Sequence, residues 1–474
     1  MRVLCVDTFK FKEFHSLPDK PYAILSHVWG PTEEITYEDM TRPFQSEPFL
    51  IEGKDQASAK LRGCREQARK DDIEYFWIDT CCINKPNYTE LSEAINSMFY
   101  WYQKSKVCYA YLVDAGGEDE ISKSKWFSRG WTLQELVAPE RVVLFDKAWN
   151  IIGSKKDLSA TIETITKIPQ DFLLGRDLDE ASVAQRMSWA SRRETSKEED
   201  LAYCLFGIFG VHMPLLYGER LTAAFRRLQL EILHDRADTS IFAWMIDELS
   251  SPFDQSHVFG LLALSPAAFE GSHDIVNARF PGQIEGFLKG IRTPILSNNR
   301  GLHLSLPVVT RRDDRAVRTK KVQEDVDCTT ANKSRRRTSI REDDRTVVAA
   351  LDCTKENEPN RRLTVQLKDI SANDGRFARY GSLTSMSTAE LVDEASFVDI
   401  TTEVRLFRRF FIVKKHEARA KMPSDSVGRK KNHYSSDRRK NNYSSDDEDD
   451  DPWGAVHRRI TALADVSSNE AKRQ

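Results

Sequence analysis

Short apolar runs alternate with amphipathic stretches through the first 150 residues of the chain. The runs are strand-sized, rich in Val, Ile and aromatic residues, and followed by turn-forming residues such as Asp or Gly. Between them, apolar positions recur at helical spacing from Ala57 to Ala68 and from Leu91 to Tyr102. This alternation predicts an α/β fold with a mostly parallel sheet. The predicted strands are Val3–Val6, Tyr22–Val28, Tyr75–Ile78, Val107–Val113 and Val142–Phe145.

The pattern changes beyond residue 150. Helical spacing dominates from 151 to 245, and strict period-two alternation at 301–309 predicts strands in a small β-rich domain. A segment at about 311–346 within that domain is too charged to bury much surface, so we expect a disordered insertion there. Further strands are predicted at Val347–Leu351, Leu363–Leu367 and Val404–Val413. The predicted divisions are an α/β core (1–150), a helical extension (151–245), a β-rich domain (246–415) and a charged tail (416–474).

The tail repeats Tyr-Ser-Ser-Asp at 434–437 and 443–446, beside basic clusters and an acidic run. Such a composition cannot form a core, so we expect disorder. Two interpretations stay open for it: a nuclear-import or phosphorylation segment, or a solvated tail without a specific role.

Composition places few limits on partners. The 474 residues are 40% hydrophobic, and 70 Lys and Arg against 73 Asp and Glu give a formal net charge of -3. This balance favours neither nucleic acid nor an anionic membrane as a partner. No leader-like segment or membrane span is evident, so the sequence predicts a cytoplasmic protein, with nuclear entry open because of the basic pairs in the tail.

Several sequence signatures of catalysis are missing. The chain has no Walker-type phosphate loop, no Gly-x-Gly-x-x-Gly after a strand, no Cys-x-x-Cys, no His-Glu-x-x-His and no Gly-x-Ser-x-Gly. We therefore expect no built-in NTPase module, no required cofactor and no metal site.

Residues Trp126–Leu136 are the leading candidate for a functional site, because two tryptophans, an arginine and a glutamate fall within eleven positions. Buried Arg and Glu need partners, so part of this segment is expected to face a cleft. Polar residues also follow two predicted strands, where ligands of open α/β sheets gather. These are Ser26, His27 and Trp29 after the apolar run Tyr22–Leu25, and Asp79, Cys82 and Asn84 after Phe76–Ile78.

Structural roles are also open for these residues. Asp79 suits a turn or a helix cap, and Trp29 suits packing against a helix. Neighbours on a strand face opposite ways, so a Ser26–His27 catalytic dyad is disfavoured. Glu90, three residues after Asn87, is expected to belong to a helix cap.

Three ordered motifs resemble the fungal heterokaryon-incompatibility (HET) domain family. They are Tyr22-Ala-Ile-Leu-Ser-His-Val-Trp-Gly, Trp77-Ile-Asp-Thr-Cys-Cys-Ile-Asn and Trp126-Phe-Ser-Arg-Gly-Trp-Thr-Leu-Gln-Glu-Leu-Val-Ala-Pro. With the stretch that starts at Arg186, the likeness covers roughly residues 1–310, although Lys85 stands where the family commonly has Gln. The resemblance implies a role in non-self recognition and programmed cell death. The implied partners are other incompatibility proteins or a second copy of the chain.

The segment from Ser124 to Leu136 is also similar to part of TIR domains, which implies a TIR-like or flavodoxin-like sheet. This second likeness makes Glu135 the candidate catalytic carboxylate and NAD a possible substrate, since a carboxylate can stabilise an oxocarbenium-like ribose. Two other interpretations stay open. Trp126, Arg129 and Trp131 could form a protein-binding hot spot, or Glu135 could pair with Arg129 or Arg141 and fix the local structure.

Overall fold

A computed structural model gives the structure for ten stretches of the chain. They are residues 1–29, 34–42, 54–245, 260–278, 295–298, 301–310, 346–369, 376–379, 383–387 and 396–402. All of these residues belong to one compact unit, Met1–Lys415.

A seven-stranded sheet forms the centre of the amino-terminal half, in the order β2-β1-β4-β3-β5-β6-β7. The pairings β4–β3, β3–β5 and β5–β6 are parallel, whereas the strands outside them pair antiparallel. The strands are β1 Arg2–Cys5, β2 Phe11–Glu13, β3 Tyr22–His27, β4 Tyr75–Trp77, β5 Val107–Tyr111, β6 Val142–Phe145 and β7 Ile151–Ser154. The mostly parallel α/β sheet predicted from the sequence is confirmed.

The order of the four parallel strands places a topological switch beside β3. The chain moves from β3 to β4 on one side, then crosses back to β5 on the other side. In doubly wound sheets a crevice opens at such a switch, outside the carboxyl ends of the strands. The ends of β3 and β4, where the polar residues lie, meet at this edge because Ile24 pairs with Trp77 in parallel register.

Helices cover the sheet and form most of the region from 155 to 235. They are α1 Tyr37–Thr41, α2 Asp55–Lys70, α3 Asp79–Cys82, α4 Tyr88–Lys104, α5 Thr132–Val137, α6 Ser159–Thr166, α7 Gln170–Leu173, α8 Val183–Ala190, α9 Asp200–Tyr203, α10 Phe206–Phe209 and α11 Leu221–Asp235. Short 3-10 helices occur at Glu118–Lys123, Lys125–Ser128, Leu178–Glu180, Thr239–Phe242 and Pro266–Phe269. Across the stretches described above, no helix has the length and apolar character to cross a membrane.

Helix α4 begins where its sequence predicts. The Asn87 side chain caps the helix by accepting hydrogen bonds from the backbone N–H groups of Thr89 and Glu90. The carboxylate of Glu90 bonds Arg2 at 2.7 Å and the Asn84 N–H at 2.8 Å. Glu90 therefore has a structural role, in that it ties the start of α4 to β1.

The β-rich region has a sheet whose strand pairings close on themselves. The ring runs through β10, β16, β14, β13 and β11 and returns to β10. Its strands and their neighbours are β8 Ile275–Asn277, β9 Leu296–Asn298, β10 Gly301–Thr310, β11 Thr346–Ala350, β12 Cys353–Lys355, β13 Arg361–Asp369, β14 Arg376–Arg379, β15 Thr384–Ser387 and β16 Ser396–Thr402.

One buried arginine joins this sheet to the helical region. The guanidinium of Arg379 in β14 donates to the carbonyls of Phe242 and Trp244 at 3.0 and 2.6 Å. It also lies 3.9 Å from the ring of Trp244. The β-rich sheet is thereby fastened to the segment that follows α11.

The predicted strands and long helices agree with the structure to within about two residues at most ends. The sequence patterns missed β2 and β7, which are short strands with no fully buried position. They also missed β8, β9, β12, β14, β15 and β16 of the β-rich region. The charged tail, the predicted strand at 404–413 and nearly all of the predicted insertion at 311–346 lie outside the described residues. The domain divisions at 150 and 245 stay predictions.

The contact between α4 and α10 can be tested at Gly207. A Cβ atom at this position would lie 2.0 Å from the Cβ of Phe99, a separation that the backbone cannot keep. We expect Gly207→Ala to lower the free energy of unfolding by about 1–3 kcal/mol, because overpacking a close helix contact forces the backbone apart. Urea denaturation of the full chain would measure this change.

Gly117→Ala is the matched control, since a Cβ at Gly117 would meet nothing within 4 Å. It should change the unfolding midpoint little. Equal effects of the two substitutions would contradict the close contact.

Candidate functional site

Strand β3 carries two polar residues at its carboxyl end, and both are buried. All six of its positions are inaccessible, and Ser26 and His27 are 0% and 6% exposed. Because successive side chains of a strand point to opposite faces, the two residues lie in separate polar clusters. We call them the Ser26 cluster (Ser26, Tyr102, Trp126, Glu135) and the His27 cluster (His27, Trp29, Glu34, Lys60, Asp79, Lys85).

In the Ser26 cluster the hydroxyl of Ser26 joins two motifs that are far apart in sequence. The Trp126 indole Nε1 donates to Ser26 Oγ at 2.7 Å, and Ser26 Oγ donates to Glu135 Oε2. Trp126 is completely buried, and Glu135 is 7% exposed. The fourth member, Tyr102, donates its hydroxyl hydrogen to the carbonyl of Leu25, the residue before Ser26, at 3.1 Å. The first and third sequence motifs are thus connected through the core.

Glu135 holds its proton at neutral pH. Burial raises the pKa of its carboxyl group to about 8, and the negative charge of Asp79 acts in the same direction. The hydrogen bond from Ser26 opposes this rise without cancelling it. A buried neutral carboxylic acid can donate a hydrogen bond, but it is not the accessible carboxylate that stabilisation of an oxocarbenium ion requires.

Helix α5, which carries Glu135, is held at both ends by buried cations. At its start, Arg193 Nη1 donates to the Arg129 carbonyl at 2.8 Å and to Thr132 Oγ1 at 3.0 Å. At its end, Lys155 Nζ donates to the carbonyls of Leu136 and Pro139 at 3.1 and 2.6 Å. Burial lowers the pKa of Lys155 to about 8. A cation at the last carbonyls of a helix is favourable for the helix dipole.

The segment before α5 is also bonded to residues 194–200. The Gly130 N–H donates to the Glu194 carbonyl at 2.8 Å, and the Glu194 N–H donates to the Ser128 carbonyl at 2.7 Å. Nearby, Trp131 Nε1 donates to Asp200 Oδ2 at 3.2 Å. The third motif is therefore built together with the helical extension.

In the His27 cluster the imidazole lies between two carboxylates without a hydrogen bond to either. Nε2 is 3.9 Å from Glu34, Nδ1 is 3.9 Å from Asp79, and within the described part of the chain neither nitrogen has a hydrogen-bond partner. Burial, with the nearby charge of Lys60, lowers the pKa of His27 to about 4. Lys60 Nζ bonds Glu34 Oε1 at 2.6 Å. His27 is therefore neutral at physiological pH.

Trp29 is the exposed member of the His27 cluster. Half of its surface, 51%, is accessible. Its Nε1 donates to Asp79 Oδ2 at 3.1 Å, and Lys85 Nζ lies 3.6 Å from the ring centroid and 3.2 Å from the same oxygen. The cation–π contact and the two bonds to Asp79 fix the orientation of the indole at the carboxyl edge of the sheet.

The remaining predicted site residues are placed as follows. Trp126 is a core residue, so it cannot contribute to a surface hot spot. Arg129 Nη2 bonds Ser196 Oγ at 2.8 Å, and Asn84 gives its backbone N–H to Glu90. The expectation that Glu135 pairs with Arg129 or Arg141 is wrong, because its bonding partner is Ser26. Burial of the whole of α5 draws the carboxyl group inward, away from surface arginines.

Residues 22–120 match the sequence model of the family described as heterokaryon incompatibility protein (HET). The chain carries a HET domain. It is also similar to the vegetative incompatibility protein HET-E-1 of Podospora anserina, with 46% identity over 230 residues, which are 45% of this chain and 16% of that protein. The chain thus spans a small part of the length of this relative. No solved structure matches the chain significantly. None of these comparisons supports the NAD-hydrolase alternative.

Sequence reasoning about the HET domain missed several residues of both clusters. The helical periodicity identifies Tyr102 only as an apolar helix position, and the family resemblance identifies Lys85 only as a departure from its pattern. Glu34, Lys60, Lys155 and Arg193 had no detectable signal, since charged residues at such positions are usually solvated. In the described stretches no group of three or more His, Cys, Asp or Glu side chains is arranged to hold a metal ion.

The two clusters of the HET domain predict opposite effects of pH on stability. Glu135 has a pKa of about 8 in the fold and 4.5 as an ordinary glutamate. Its contribution to the free energy of unfolding is therefore full below pH 4.5 and is lost as pH rises through 8. His27 has a pKa of about 4 in the fold and ordinarily 6.5, so its contribution is present above pH 6.5 and is lost toward pH 4. Between pH 6.5 and 8 the effect of Glu135 is the larger one.

We expect the free energy of unfolding of the wild type to fall by about 1 kcal/mol from pH 6.5 to 8, because a loss of about 1.6 kcal/mol at Glu135 is partly offset by His27 and Lys155, whose pKa values are lowered in the fold. Glu135→Gln, which cannot ionise, should abolish this fall and leave a slight rise. Urea denaturation at several pH values would measure both slopes. Glu118→Gln, at an exposed position, should keep the wild-type slope. If Glu135→Gln kept that slope too, the buried neutral carboxyl would be refuted.

Proposed function

We propose that this protein acts in fungal heterokaryon incompatibility as an effector that triggers cell death after association with a partner. The observation that carries the proposal is the 46% identity to a vegetative incompatibility protein over 230 residues. The partner is another incompatibility protein or a second copy of the chain. We place the protein in the cytoplasm, and the basic pairs of the tail are the basis for nuclear import as an alternative.

Trp29 is the residue that we assign to the contact. Tryptophan is enriched in binding hot spots because a rigid aromatic side chain buries a large area with little loss of conformational freedom. Its orientation by Asp79 and Lys85 supports this assignment, since a side chain that is already fixed loses less entropy on binding. Trp131 is partly buried and bonded to Asp200, so it is a less favourable contact.

Association is favoured over NAD cleavage by the state of Glu135. An NAD-cleaving site needs an ionised carboxylate that the ribose can reach. Glu135 is buried and holds a proton at neutral pH, and its neighbour Trp126 has no exposed surface on which a base could stack. We therefore give Glu135 a structural role in the Ser26 cluster.

The proposal predicts that induced expression of the full chain in a filamentous fungus reduces viability and that Trp29→Ala reduces this killing at least about tenfold. A hot-spot tryptophan typically contributes about 2 kcal/mol or more to binding, which corresponds to about thirtyfold in affinity and so exceeds the factor expected here. Colony counts after induction, at matched protein levels, would measure the effect.

Tyr100→Ala is the control, because Tyr100 is also half-exposed, at 49%, and lies in a different part of the HET domain on α4. It should leave killing unchanged. Survival of cells that express the wild-type chain would refute the effector function, and equal loss from both substitutions would refute the Trp29 contact. A fall in cellular NAD that Glu135→Gln abolishes would favour an enzyme instead.

A further inference from the structure

A cavity of about 90 Å³ lies beside the Trp126–Leu136 segment, of which Phe127 lines it. It is enclosed by the end of α6, the end of α8, the 3-10 turn at Lys125–Ser128 and the turn that follows Phe269. One water molecule needs only about 10–15 Å³ of such space, so the cavity has room for a small polyatomic ligand.

Two hydrogen-bond donors on the cavity wall lack acceptors. Arg193 is 6% exposed and Trp189 is 2% exposed. Both side chains line the cavity, and in the described structure neither Arg193 Nη2 nor Trp189 Nε1 has a hydrogen-bond partner. A buried donor without an acceptor is unfavourable by about 1–3 kcal/mol, and by more when it carries charge. Two such donors, both on residues that line the cavity, point to an acceptor within it.

Among the described residues, Arg193 also has no hydrogen-bonded carboxylate. Its other nitrogens donate to neutral oxygens, namely the carbonyls of Trp189 and Arg129 and the hydroxyl of Thr132. Burial lowers the pKa of Arg193 to about 10, which leaves the guanidinium charged at neutral pH. A buried cation in this position is stabilised by an anion that also accepts its free N–H.

The rim of the cavity adds positive charge. Lys167, Arg192 and His273 are exposed lining residues, and Glu270 is the carboxylate among them. Glu270 already pairs with Arg192 Nε at 2.8 Å. With that pair neutralised, Lys167 at the rim and Arg193 inside remain as the charged groups of the wall, so the field in the cavity attracts anions.

We propose that this cavity is a binding site for a small oxyanion of the phosphate class, held by Arg193 and Trp189 inside and by Lys167 at the mouth. Bound there, the anion would neutralise the guanidinium that fixes the start of α5. Occupancy of the cavity would thereby be coupled to the position of the third HET motif. The proposal does not depend on the function proposed above.

The test uses the full chain and inorganic phosphate, with chloride at the same ionic strength as the reference. We expect phosphate to raise the thermal unfolding midpoint with the logarithm of its concentration, by roughly 1–2 °C at ten times the dissociation constant. Trp189→Phe keeps an aromatic side chain but removes the donor, and it should weaken the affinity about tenfold. Lys167→Gln, which changes an exposed side chain, should weaken it severalfold.

Trp149→Phe is the matched control. Trp149 Nε1 is likewise a buried donor without a partner in the described structure, but it does not line this cavity, so its removal should leave the phosphate response unchanged. A parallel titration with glycerol phosphate distinguishes the source: tighter binding of the ester identifies the phosphate group of a larger molecule, and tighter binding of inorganic phosphate identifies the free ion.

Either source supports the oxyanion site. A midpoint that responds equally to phosphate and chloride would overturn it, because water would then be the acceptor for both donors. Equal weakening by Trp189→Phe and Trp149→Phe would also overturn it, because the response would not come from this cavity.

Discussion

The burial of strand β3 is the constraint on which the arrangement of the HET domain depends. The strand pairs on both sides in the centre of the sheet and is covered on both faces, yet it ends in a serine and a histidine. Buried polar groups need partners. Ser26 finds them in Trp126 and Glu135, 100 and 109 residues further along the chain. The hydrogen bonds of the Ser26 hydroxyl thus fix the position of the third motif against the first.

The third motif is held in position by hydrogen bonds from residues that follow it in the chain. Its turn exchanges backbone hydrogen bonds with Glu194, and the helix that follows is held by Arg193 and Lys155. The family match ends at residue 120, before any of these contacts, whereas the similarity to the Podospora protein extends over 230 residues. In the structure, the polar contacts of the domain draw on residues up to Asp200.

The two clusters differ in what they can do. The Ser26 cluster is closed to solvent and keeps a proton on Glu135, which suits an internal connection between elements. The His27 cluster reaches the surface through Trp29, whose indole is fixed by Asp79 and Lys85. Adjacent residues of one strand therefore enter a closed cluster on one face of the sheet and, on the other face, a cluster that reaches the surface.

The sequence by itself determined the α/β class, the five main strands, both long amphipathic helices and the two positions at the end of β3. These follow from periodicity and caps, which are local properties of the chain. It also predicted that Ser26 and His27 would face apart, since the strand repeat is two residues. Burial depth and long-range pairing were decided only by the tertiary structure. No local pattern could reveal that Trp126 lies in the core, that Glu135 bonds Ser26 rather than an arginine, or that Arg193 and Trp189 meet at one cavity, because each depends on which distant elements pack together.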